Sequence, residues 1–137
     1  MIRELVHDPI FLAQKSEPAT REDMDVAFDL KDTLYAYQGS CVGMAANMIG
    51  VLKRIIIFDD GDSYGIMFNP EIIEMAEPYE TEEGCLSLLG DPRPVTRYNK
   101  IKVKWHNPGE LPKTEVFTGF TAEIIQHEVD HCNGVLI

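Results

Sequence analysis

Residues His127-Glu128-Val129-Asp130-His131 limit what this chain can fold into more than any other stretch. On an α-helix, positions four apart stack on one face, so both imidazoles can reach one metal ion. Glu128 projects from the same side and is placed to take a proton from an activated water. The bland alternative for so short a motif is an ordinary pair of core or surface histidines. Only Cys132-Asn133-Gly134-Val135-Leu136-Ile137 follows, with no histidine or glutamate among them. The extended metalloprotease pattern would need histidine where Ile137 stands. A third protein ligand is therefore expected from upstream.

The 137 residues fit one domain, 1–137, large enough for a sizeable core. No apolar run approaches the ~18 residues of a membrane helix, and Met1-Ile2-Arg3-Glu4-Leu5 lacks the apolar segment of a secretory leader. Three cysteines argue against a disulfide framework and fit a reducing cytoplasm. The net charge of −11 disfavours nonspecific binding to nucleic acid or an anionic membrane. Most of the clustered acids, Glu80, Glu82 and Glu83 with Asp59, Asp60 and Asp62, read as solvated strand ends and turns.

Residues 1–19 read as an extended arm. Thr20-Arg21-Glu22-Asp23 supplies a capping hydroxyl and first-turn acids for a helix on which Met24, Ala27, Leu30, Leu34 and Tyr37 keep helical spacing up to Gly39. Gly43 and Gly50 punctuate a loop. Arg54 to Phe58, Tyr64 to Phe68, Glu71 to Ala76, the alternating Ile101 to Trp105, and Thr114 to Phe117 are expected strands. The last helix is expected from about Phe120 to Cys132, stopping at Gly134. Its Ile125, Val129 and Cys132 form a core stripe beside the histidine face, which places the site under a sheet edge.

Cys41, Cys85, His7 and His106 are the upstream candidates for the third ligand; Cys132 points ~100° away from His131. Cys85 stands out within Glu82-Glu83-Gly84-Cys85-Leu86-Ser87-Leu88: Gly84 permits unusual backbone geometry, and Leu86 and Leu88 read as inward strand positions. Glu83-Gly84-Cys85-Leu86-Ser87 and Gln126-His127-Glu128-Val129-Asp130-His131 resemble the second and third signatures of the peptide deformylases. Gly43-Met44-Ala45-Ala46 with Ile49-Gly50 resembles the first. The three occur in the family's order over nearly the whole chain, with Arg97 where the family carries arginine.

The resemblance implies an α+β fold, mixed or antiparallel β-sheets around a central C-terminal metal-binding helix. It implies Cys85, His127 and His131 as ligands of one divalent ion, leaving a fourth position for water as catalytic sites do. Ferrous iron is typical of the family, and zinc, nickel or cobalt can occupy the same site. The implied reaction is hydrolysis of the N-formyl group from the first methionine of a nascent peptide. Glu128 would move the proton and the Leu86 backbone N–H would donate to the oxyanion. Gly43 and Met44 would offer backbone to the peptide, with Met48 and Ile124 in the substrate pocket. Gln126 and Asp130 would orient the site, and Arg97 would either support it or form a surface salt bridge.

The chain departs from the family pattern in places. Cys41 replaces the first glycine of signature one, and Met48 replaces its glutamine, whose amide would donate to the oxyanion; a thioether has no N–H. Leu88-Leu89-Gly90 differs from the usual continuation and would alter the pocket rim. Many relatives continue past the position of Ile137, and a ribosome-docking element there would be missing. Cys41 and Cys132 read as small packing residues, and His7 and His106 as ordinary loop residues. A slow deformylase is thus weighed against a non-catalytic or altered-substrate relative that binds metal and formylated peptides. Retention of Glu128 favours catalysis, since metal binding alone does not need it.

Overall fold

In the computed structural model, which describes residues 1–88 and 90–136, one five-stranded antiparallel sheet organises the chain in the order β1-β2-β3-β4-β5. The strands are β1 (Gly43–Ala45), β2 (Ile55–Asp59), β3 (Tyr64–Glu83), β4 (Arg93–His106) and β5 (Lys113–Thr118). The helices are α1 (Pro9–Leu12), α2 (Met24–Ala36) and α3 (Gly119–Cys132).

Strand β2 explains the layering. Successive side chains of a strand point to opposite faces. Ile55 and Ile57 pack with Leu30 and Leu34 of α2, whereas Ile56 and Phe58 pack with Ile124, Ile125 and Val129 of α3. Its apolar run is buried on both faces because a helix covers each one. The register carries this onto β1: Met44 pairs with Ile57 and faces α2, while Gly43 pairs with Phe58 and faces α3.

The long strand β3 merges the expected Tyr64–Phe68 and Glu71–Ala76 segments. Its register with β4 slips between Phe68 and Glu71, where Asn69 takes a φ of 55° and Pro70 offers no N–H. The Asn69 amide holds both backbone groups of Ala19, at 2.7 and 3.0 Å, so the bulge is tied to the N-terminal arm. In β4, Ile101, Val103 and Trp105 are buried as their alternation predicts.

Three local expectations need correction. The arm is not wholly extended: Asp8 accepts from Ile10 N–H at 3.0 Å and Pro9 opens the helix, which suffices for the single turn of α1. Gly43 lies in an edge strand rather than a loop. Leu86 and Leu88 are not strand positions, because β3 ends at Glu83 and residues 86–88 form a bend. Leu89 and Ile137 lie outside the described residues.

At the start of α2, Thr20 and Asp23 form a reciprocal capping box around a 3-10 turn. At the end of α3, Val135 N–H reaches Asp130 O at 2.9 Å and Gly134 N–H reaches His131 O at 3.1 Å, the paired bonds of a Schellman cap. Gly134 has a φ of 75°, and a Cβ there would lie 2.5 Å from the Ala13 carbonyl oxygen. Gly134→Ala is expected to cost about 1–3 kcal/mol through left-handed strain, with the contact to Ala13 added. Urea denaturation measures this, and an unchanged midpoint would contradict the cap.

Candidate metal centre and active site

Helix α3 presents His127 and His131 toward one point, and the chain leaving β3 brings Cys85 to it. The nearest ligand atoms of the three residues all lie within 4.8 Å of one another. His127 Nε2 and His131 Nε2 are 3.1 Å apart, and Cys85 Sγ is 3.4 Å from His131 Nε2. A tetrahedral ion with nitrogen at ~2.1 Å and sulfur at ~2.3 Å needs neighbouring ligand atoms roughly 3.3–3.6 Å apart. The two separations measured from His131 Nε2 are within a few tenths of an ångström of that requirement.

The electrostatics agree. Burial opposes charging His127, but hydrogen bonds to Cys85 and Glu83 outweigh it and push the imidazole up to about 10. Burial and the neighbouring His127 charge push His131 down to about 3. The pair therefore holds one positive charge between its rings, where a divalent ion would displace the proton. The donor set fits a metal.

The first ligand is fixed from behind. His127 Nδ1 donates to Glu83 Oε1 at 2.8 Å, which leaves Nε2 to face Cys85 and His131. Arg97 grips the same carboxylate, Nη2 to Oε1 at 2.7 Å and Nε to Oε2 at 3.0 Å, and donates Nη1 to Asp130 at 2.6 Å. Burial raises the Glu83 carboxyl, but its bonds to His127 and Arg97 prevail and hold it down to about 2. Arg97 is thus a buried support rather than a surface ion pair. Glu83 was expected to be solvated with its acidic neighbours, and it is buried; its place two residues before Cys85 was the available signal. Gln126 acts elsewhere. Its amide bonds the backbone N–H and C=O of Tyr98 in β4, at 2.9 and 2.8 Å, and fixes α3 against the sheet.

Glu128 is 3% exposed, and burial pushes its carboxyl up to about 7. Its Oε1 has no protein hydrogen-bond partner among the described residues. Gly43 of edge strand β1 lies directly above: a Cβ there would sit 2.9 Å from Glu128 Oε2 and 2.6 Å from Ile124 Cγ2. Only glycine lets the strand approach the helix this closely.

A cavity of ≈ 530 Å³ opens from this edge, lined by Gly43, Met48, Cys85, Leu86, Ile124, His127 and Glu128 among others. Leu86 N–H has no acceptor among the described residues. The Met44 side chain does not line the cavity; the β1 register turns it into the core beneath α2. Met48 is buried, and its Sδ accepts from Ala45 N–H at 3.4 Å. Cys41 also lines the cavity, donating its thiol to Gly43 O at 2.8 Å, and Cys132 is core. Gly84 has no left-handed φ, and a Cβ there would meet nothing within 4 Å, so neither strain nor packing demands a glycine. His106 Nε2 lies 2.8 Å from the Asn69 amide and belongs to the bulge network, not to the ligand set.

Removing the carboxylate behind His127 should loosen the ligand set. Glu83→Ala is expected to lower metal affinity ~10–100-fold. Chelator competition reads this, with the exposed Glu80→Ala as the comparison; equal affinities would show that Glu83 does not act through His127.

A polypeptide deformylase family model matches residues 2–137. The peptide deformylase of Clostridium beijerinckii is 53% identical over 137 residues, covering 100% of both chains. The crystal structure of a peptide deformylase from Legionella pneumophila superposes with a TM-score of 0.88 at 34% identity, over 99% of this chain and 83% of that one. A class I type b peptide deformylase from Acinetobacter baumannii, crystallised with Met-Ala-Ser bound, gives a TM-score of 0.86 at 30% identity, over 99% and 97% of the two chains. Together with a Cys-His-His set, its two histidines buried and its cysteine half-buried, beside a carboxylate, these likenesses make the chain a member of the polypeptide deformylase family, a family of metal-dependent hydrolases.

Proposed function

We propose that the chain hydrolyses the N-formyl group from the terminal methionine of nascent polypeptides, using Cys85, His127 and His131 to hold ferrous iron. The observation that carries this reading is the convergence of those three ligand atoms beside the buried carboxylate of Glu128, whose Oε1 has no partner among the described residues. Zinc, nickel or cobalt would suit the same donors. When bound, the ion supplies Lewis-acid chemistry, acidifying water and polarising the formyl oxygen.

The chain's own groups do the rest. Glu128 accepts the proton of the attacking water and returns it to the leaving amine, a shuttle suited to a carboxyl raised toward neutrality by burial. Leu86 N–H donates to the oxyanion. The outer edge of β1 offers the Gly43 backbone to an extended peptide, as an added strand would use it, whereas Met44, the other backbone contact the resemblance implied, turns its N–H and C=O toward Ile57 of β2. Leu86, Phe120 and Ile124 give the cavity its apolar wall for the methionine side chain. Met-Ala-Ser, bound by the Acinetobacter baumannii relative, has the form of the deformylated product.

The reading extends to residues 1–137 acting as one catalytic domain, for which the single sheet joining all five strands is the support. It also places the reaction in the cytoplasm, where ribosomes present formylated chains at their exit. Three free cysteines suit that compartment. No helix among the described residues is long and apolar enough to cross a membrane.

Anaerobically iron-loaded protein should release formate from formyl-Met-Ala-Ser. Saturable binding of that peptide without formate would replace hydrolysis with mere recognition. Glu128→Gln should retain metal and lose ~10²–10⁴ in kcat; full activity in the metal-loaded variant would remove the proton shuttle from the mechanism. Met48→Gln restores an amide donor and is expected to raise kcat by up to ~10²–10³. No gain would show that the missing donor does not limit turnover.

A further inference from the structure

The segment that carries Cys85 and Leu86 belongs to neither helix nor strand. Residues 84–88 follow the end of β3 as a coil and bend. Such a segment needs tertiary anchors to hold a ligand and a backbone donor in place. Among the described residues, one polar anchor is the Cys85 thiol against His131 and His127. The other comes from the far end of the chain: His7 Nδ1 lies 3.0 Å from the Ser87 carbonyl oxygen. A carbonyl oxygen only accepts, so Nδ1 carries the proton and donates.

The preceding residue makes a matching contact. Val6 N–H donates to the Met48 carbonyl oxygen at 2.8 Å. Met48 belongs to the 3-10 turn Ala46–Ile49 that forms another wall of the cavity. Two consecutive residues of the arm therefore grip two separate walls of the site, the Met48 turn and the Cys85 loop.

We propose that His7 is a positioning residue of the active site: with Val6 on the Met48 turn, its bond to Ser87 staples the loop bearing Cys85 and Leu86 in its working geometry. The inference rests on the reading of Leu86 N–H as oxyanion donor. Its catalytic consequence follows from distance in the chain. Ser87 is one residue beyond Leu86, so freedom at the Ser87 carbonyl is freedom at the donor. Cys85 is held independently by the histidines, so loss of the staple falls on the oxyanion donor more than on ligand binding.

His7→Phe keeps a planar ring without a donor, and His7→Asn retains an N–H close to the Nδ1 position. His7→Phe is expected to lower kcat roughly threefold to tenfold, the factor of one net hydrogen bond, with KM little changed. His7→Asn should recover most of that loss. Amide hydrogen exchange on the metal-loaded proteins supplies a readout independent of turnover: peptides covering residues 84–88 should exchange faster in His7→Phe and return toward wild type in His7→Asn. Unchanged exchange and unchanged kcat in His7→Phe would overturn the proposal. A fall in kcat that His7→Asn does not restore would also overturn it, as would a rise in KM matching the loss. If the wild-type protein releases no formate, the functional reading fails on its own, and exchange at 84–88 still decides whether His7 holds the loop.

Discussion

A guanidinium buried between two carboxylates organises the centre of this structure. Arg97 stands on β4, Glu83 ends β3, and Asp130 lies on α3. One side chain thus joins the sheet to the helix whose histidines need fixed directions. Replacing the arrangement with apolar residues would often cost little in stability. The arrangement gives orientation instead. Glu83 can accept from His127 because Arg97 neutralises it, and His127 can present Nε2 because Glu83 occupies Nδ1. The nitrogen that His127 offers to a metal is therefore set by a charge on a strand two elements away.

The second constraint is steric. Edge strand β1 passes close to the face of α3 that carries Glu128. Gly43 allows that passage, since any β-carbon would collide with Ile124 and crowd Glu128. The same closeness buries Glu128 and raises its carboxyl toward neutrality.

Much of this was legible in the residues. Helical spacing exposed α2 and α3, alternation exposed the Ile101–Trp105 strand, and motif context singled out Cys85. Contacts that depend on strand register were not legible. Glu83 sits in an acidic run that reads as solvated; the β3–β4 register sets Arg93 opposite it and Arg97 opposite Tyr79, so Arg97 reaches it only through its long side chain, four residues along the strand. The continuity of β3 across Asn69 was hidden for a related reason: a bulge held by Ala19 of the distant arm looks locally like a turn. His7 looked ordinary because its partner, the Ser87 carbonyl, belongs to the backbone, and backbone acceptors carry no residue signature.

Two departures from the family pattern turn out to act on the same short strand. Cys41 donates to the Gly43 carbonyl, and Met48 accepts from the Ala45 N–H, so two sulfur atoms engage both ends of β1. A glutamine in place of Met48 could do two things at once, accepting through its oxygen and donating through its nitrogen. The thioether can only accept. The hydrogen bond to Ala45 is therefore preserved in kind while the donor is given up. Position 48 thus separates a structural duty, holding the turn of β1 into the following 3-10 segment, from a chemical one. With the side-chain donor absent, the proposed reaction would leave stabilisation of the oxyanion to the backbone N–H of Leu86. A single backbone donor works only if its loop is held still, which places the demand for rigidity on residues 84–88 and on whatever the rest of the chain fastens them with.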